Sequence, residues 1–168
     1  DIVVGANTST SNSGAAYVYY GSASGIDNVG FDSADVTLSI SGSPANSYFG
    51  YSVNSAGDLN GDGIDELVVG AFRVEVSGQA DGSAYVYYGS TEGISTSPSV
   101  TLAPNNSNGS ANFGISVNTA GDLNGDGYGD LVVGASRQDA FVDGEYVRNT
   151  GVVYIYNGSS SGINSTSD

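Results

Sequence analysis

Two nine-residue stretches, "DLNGDGIDE" at 58–66 and "DLNGDGYGD" at 122–130, set acids or amides at alternate positions and thread glycine between them. They hold Asp58, Asp62, Asp65, Glu66, Asp122, Asp126 and Asp130, seven of the 18 acidic residues in a chain of 168. Two carboxylates about 4 Å apart repel by about 1 kcal/mol even in bulk water, so a loop gathering three carries roughly 3 kcal/mol of self-repulsion. A bound cation removes it. Calcium takes about six to eight oxygens, and a short loop supplies them by pointing alternate side chains inward. Asp58, Asn60 and Asp62 have that spacing, as do Asp122, Asn124 and Asp126. Glycines at 61, 63, 125 and 127 permit the tight backbone such a loop needs. A backbone carbonyl is expected at the seventh position, from Ile64 and Tyr128, and a carboxylate at the ninth, from Glu66 and Asp130.

An EF-hand would end in a bidentate Glu at position twelve and run into a helix. Here position twelve is Val69 or Val133, inside an apolar strand pattern. Calcium suits the carboxylate-rich loop better than Mg2+, and zinc is disfavoured in a chain without His or Cys. The plainer alternative is a pair of polar β-turns, since Asn-Gly and Asp-Gly are strong turn formers. Two copies with identical "AGDLNGDG" octets favour two cation sites. Asp65 falls between ligand positions and is replaced by Gly129 in the second copy, which predicts a solvated side chain. Asp1 stands where Glu66 and Asp130 stand, as the remnant of a third loop.

The elements that carry these loops repeat with them. "YFGYSVNSAGDLNGDGIDELVVGAF" from Tyr48 recurs as "NFGISVNTAGDLNGDGYGDLVVGAS" from Asn112, and "DIVVGAN" at the start matches the tail of the same unit. A second block follows each time, from Gly14, Gly82 and Gly151, in the form "GSAYVYYGSTEGI". Alternating or short apolar runs rich in Val, Ile and Tyr, bounded by Gly, Asn, Asp and Ser, predict strands. Four are expected per unit: "FGYSVNSAG", "ELVVGAF", "SAYVYYG" and "SVTLAP". The connection between second and third strands lengthens along the chain, from 7–13 to 72–81 to 136–150, as a surface loop can. The fold expected is all-β, with propeller-like blades of four antiparallel strands that must stack to bury their faces. Residues 1–47 form a blade without its first strand, 48–111 a complete one, and 112–168 one without its last.

Composition excludes several classes. A net charge of −15, with Arg73, Arg137 and Arg148 as the sole basic side chains, is wrong for nucleic acid or an anionic membrane surface. No apolar run has the length of a membrane span, so no membrane insertion is expected. The absence of His and Cys removes the commonest general base and nucleophilic pairings, and no catalytic residues are recognisable. The tyrosines at 17, 19, 20, 85, 87, 88, 154 and 156 fit packing between sheets better than a carbohydrate-stacking platform. Asp139, Asp143 and Glu145 read as a solvated loop.

Phe49–Gly50, "DLNGDG" and "VVGA" at 68–71, recurring at Phe113–Gly114 and 132–135, resemble the FG-GAP repeats of integrin α-subunit β-propellers and their bacterial relatives. The resemblance implies a blade with calcium between its first two strands and partners met outside the cell. Two features depart from the pattern: Asn7, Phe72 and Ser136 replace the usual proline after "GA", and Glu66 replaces the commoner Asp. The expected function is a non-enzymatic, calcium-binding extracellular module, secreted or on a bacterial cell surface, for adhesion or protein interaction. Its ligand is a protein or glycan. Two alternatives stand beside it: a self-assembling filament subunit that uses strand complementation, and the accessory propeller of a secreted enzyme.

Overall fold

The computed structural model describes residues 1–9, 13–26, 33–40, 45–75, 81–105 and 110–167. The first sheet pairs β1 (Ile2–Ala6), β2 (Ala15–Tyr19) and β3 (Val36–Leu38) in chain order. The second, complete sheet pairs β4 (Ser52–Gly57), β5 (Glu66–Ala71), β6 (Ser83–Tyr87) and β7 (Val100–Leu102). In the third, β8 (Phe113–Gly121) and β12 (Val152–Tyr156) flank β9 (Asp130–Ala135). All pairings are antiparallel, and each acidic stretch is the connection from first to second strand of its blade. The all-β blade architecture expected from the repeat is the one observed. One element was not anticipated. Within the longest connection, β10 (Ala140–Val142) and β11 (Glu145–Val147) form a hairpin around Asp143 and Gly144, both at positive φ (52° and 90°). Asp-Gly between apolar residues is the sequence signal for such a turn.

Each blade presents two apolar faces because side chains alternate along a strand. Val68, Ala84 and Val86 of the second blade pack with Phe113, Val117, Leu131, Val133 and Tyr154 of the third. From the opposite face, Val69, Ala71, Tyr85 and Tyr87 pack with Ala16, Val18 and Leu38 of the first. Every residue of β5 and β6 is buried as a result. The tyrosines at 85, 87, 154 and 156 lie in these layers, so they serve packing, and Tyr19 is buried as well. At the two ends of the stack the same strand positions are open: Ile2 and Val4 on one side, Val153 (66% exposed) and Ile155 on the other.

The Phe-Gly dipeptide is where one blade grips the previous one. Phe113 N–H donates to the Asp81 carbonyl at 2.8 Å, forming a bridge with Gly82, and its ring is fully buried edge-on to Tyr154, 5.1 Å between centroids. Phe49 repeats this on the first blade, with its N–H on Ser13 O at 3.1 Å and its ring against Tyr85. Gly114, at φ 80°, then brings its carbonyl against Gly70, where a methyl group would overlap that oxygen and Ser52 Oγ. The glycines of "FG" and "VVGA" therefore exist for close backbone approach between blades. At the far end of the strands a tyrosine does the gripping. Tyr20 OH accepts from Ile94 N–H at 2.8 Å, and Tyr88 OH accepts from Ile163 N–H at 3.0 Å, each reaching into the following blade.

Candidate metal centre

Both acidic loops fold the same way. Asp58 Oδ1 accepts from the amides of Gly61 (2.6 Å) and Asp62 (3.1 Å), and its Oδ2 from Gly63 (2.9 Å). Asp122 does the same with Gly125, Asp126 and Gly127. Gly61 and Gly63 sit at φ 78° and 85°, Gly125 and Gly127 at 75° and 93°, which is the conformation the spacing called for. Backbone amides, the one from Gly63 foremost, hold the Asp58 carboxyl below its ordinary range. Asp62 Oδ1 fixes Ile64 N–H at 2.9 Å, and Asp126 Oδ1 fixes Tyr128 N–H at 3.0 Å.

The closing acids are the buried ones. Glu66 is 1% exposed and Asp130 fully buried, while the other loop acids stay at the surface. Leu59 N–H donates to Glu66 Oε2 at 2.6 Å, and Leu123 N–H to Asp130 Oδ2 at 2.7 Å. Asp130 Oδ1 also takes Gly158 N–H at 3.0 Å, and Asp1 Oδ1 takes Gly21 N–H at 2.7 Å, so Asp1 occupies the corresponding place in the first blade. Sequence reasoning passed over these amide donors, because a backbone group carries no residue signature.

Among the described residues no three acidic side chains converge by themselves into a metal-holding group. Each loop interleaves carboxylates with an amide. Asn60 Nδ2 donates to Asp62 Oδ2 at 3.1 Å and to Glu66 Oε1 at 3.4 Å, and Asn124 Nδ2 donates to Asp126 Oδ2 at 2.9 Å. In the first loop the positive end of the amide dipole sits between two carboxylates, and in the second it faces Asp126; the oxygens of the acids, amides and backbone carbonyls are of the kind that suits calcium. Asp65 is exposed, as expected, and accepts from Ser55 Oγ at 2.7 Å.

Burial pushes the Glu66 carboxyl up to about 7, and the Asp62 and Asp58 charges add to it against the pull of the Leu59 and Gly89 amides. With the folded value above the ordinary one of 4.5, this group favours the ion-free fold fully below about pH 4.5, and the benefit is lost as pH rises toward 7. In EGTA the melting temperature is therefore expected to fall between pH 5 and 7.5, with about 3 kcal/mol at stake. In Glu66→Gln that fall disappears. A pH-independent melt of the parent chain in EGTA would remove Glu66 from the account.

The repeated Phe-Gly lock, the acidic loop and the "VVGA" strand recur in this arrangement along the stack. The FG-GAP repeat family profile matches residues 113–156, and the FG-GAP-like repeat profile matches 58–133. The chain carries FG-GAP repeats. These FG-GAP repeats are similar to "Integrin alpha-6" of Gallus gallus, 42% identical over 124 residues, covering 70% of this chain and 10% of that protein. They are also similar to "Integrin alpha-PS2" of Drosophila melanogaster, 39% identical over 132 residues (74% and 9%), and "Integrin alpha-5" of Xenopus laevis, 38% over 130 (74% and 11%). The FG-GAP chain spans about a tenth of the length of these relatives. Among the described residues no helix is long and apolar enough to cross a membrane.

Proposed function

We propose that this is a non-enzymatic, calcium-stabilised repeat module that works outside the cell in adhesion or protein interaction. Asp58, Asn60, Asp62, Ile64 (through its carbonyl) and Glu66 would hold one ion, and Asp122, Asn124, Asp126, Tyr128 and Asp130 a second. The ion's role is structural: it neutralises the loop and ties the first strand of a blade to the second. One observation carries the reading. Glu66 is buried beside Asp58 and Asp62, whereas the three arginines lie in connections that follow β5, β9 and β11, away from the acidic loops. A buried carboxylate without a cationic partner costs several kcal/mol, which supports a cation from solution as the source of the missing charge.

Similarity to integrin α chains supports the interaction role, and the −15 charge supports a partner other than nucleic acid or anionic lipid. Calorimetric titration of the metal-stripped chain with CaCl2 is expected to give two ions bound per chain. Heats no larger than those of dilution would reject the calcium assignment and leave two polar turns.

A further inference from the structure

We infer that the two acidic loops bind their cations interdependently, occupancy of one raising the affinity of the other. This rests on the calcium reading above and adds to it a physical link between the sites. The loops belong to successive blades, yet the second is seated on the first. Gly129 N–H donates to the Asp58 carbonyl oxygen at 2.7 Å. Asp58 is the first ligand residue of one loop, and Gly129 lies between the last two of the other, Tyr128 and Asp130. The Tyr128 ring lies over Gly61, whose Cα hydrogen points at it: a methyl there would stand 2.6 Å from Cε1.

A second connection runs in parallel. Leu59 O accepts from Ser159 N–H at 3.1 Å, and the adjacent Gly158 N–H binds the closing carboxylate Asp130. Leu59 N–H in turn binds the closing carboxylate Glu66 of its own loop. One residue, Leu59, therefore spans from the Glu66 carboxylate to the strand end that positions Asp130. A backbone shift at Asp58, Leu59 or Gly129 is therefore passed to the neighbouring loop through these hydrogen bonds.

The sign follows from the ordering cost. An ion entering one loop must fix its backbone, and the shared hydrogen bonds fix part of the second loop at the same time, so the second ion has less to order. Direct repulsion between the two ions acts in the opposite sense, but it is screened by salt, whereas the backbone link is not. The coupling is expected to be about fivefold to tenfold, and reciprocal.

The test is calcium titration calorimetry on the full chain in about 0.5 M salt, where the Debye length is roughly 4 Å. Asp62→Ala reports the second site alone and Asp126→Ala the first, with far-UV circular dichroism confirming that each variant is folded. Two ions in the parent chain, one in each variant, and a surviving site weakened about fivefold to tenfold by the same factor in both, is the expected result. Surviving sites with unchanged or increased affinity overturn the coupling and leave the calcium assignment standing. No binding by the parent chain overturns the assignment, and the coupling with it. Gly129 is not itself a ligand, and Gly129→Val places its Cβ 3.1 Å from the Asp58 carbonyl oxygen. It is expected to keep both ions while the coupling drops to within about twofold; full coupling in this variant overturns the backbone route.

Discussion

Excess EGTA at neutral pH is expected to lower the melting temperature of this chain by about 10 to 20 °C. A ligand present at a hundredfold excess over its Kd stabilises the form that binds it by about 2.7 kcal/mol per site. Two such sites contribute about 5 kcal/mol, a large part of the roughly 5 to 15 kcal/mol that separates folded from unfolded chains. For a domain of this size 1 kcal/mol moves the midpoint by roughly 2 to 4 °C. The reason the effect is large here is the placement of Glu66. Its carboxylate is buried, and the charges that act on it, Asp62 and Asp58, carry the same sign. Without an ion the loop must either protonate Glu66 or open. Differential scanning calorimetry in millimolar Ca2+ and in EGTA measures the shift, and an Asp62→Ala, Asp126→Ala double variant should melt low in both. Superimposed melts for the parent chain in the two conditions would sink the structural role of the ion.

The second large effect concerns the contact between blades. Phe113→Ala is expected to destabilise the chain by about 3 to 5 kcal/mol, the usual cost of emptying a fully buried aromatic site. The ring is 0% exposed, edge-on to Tyr154, and belongs to the layer shared by the second and third blades. Its backbone is pinned to Asp81 and Gly82, so the main chain is poorly able to move in and fill the space. Phe141→Ala supplies the contrast. That ring also meets a tyrosine edge-on, Tyr146 at 5.0 Å, but it lies on the β10–β11 hairpin and is 64% exposed. Its removal is expected to cost within about 0.5 kcal/mol, as for ordinary surface positions. Urea denaturation of the two variants compares them directly. Equal costs would mean that the blades do not rely on the Phe-Gly lock.

Much of the architecture was legible because it depends on local pattern. Period-two alternation marks strands wherever it occurs, and four strands per repeat imply blades that must stack to bury their faces. The turn that these loops make was legible for a similar reason: Asp58, Asn60, Asp62 and their counterparts act on backbone amides two to five positions away. The hairpin at 140–147 differs from the surface loop expected there: Asp143-Gly144 makes a tight turn, and the connection is long enough for its two sides to pair. The seating of one acidic loop on the other could not have been read, because Gly129 and the Asp58 carbonyl are joined by a backbone bond across blades.

The amino-acid sequence by itself determined the unit: its strands, the turn that lines up oxygens, and the glycines that let backbones meet. Tertiary structure alone decided what each copy of the unit experiences. Leu59 and Leu123 occupy the same place in identical octets, yet Leu59 is fully buried beneath the next blade and Leu123 is 58% exposed. Ala84 and Val153 correspond in the same way, one buried and the other open. A repeat fixes local geometry through short-range sterics and hydrogen bonds, whereas burial depends on whether another blade lies against that face, which no single unit encodes.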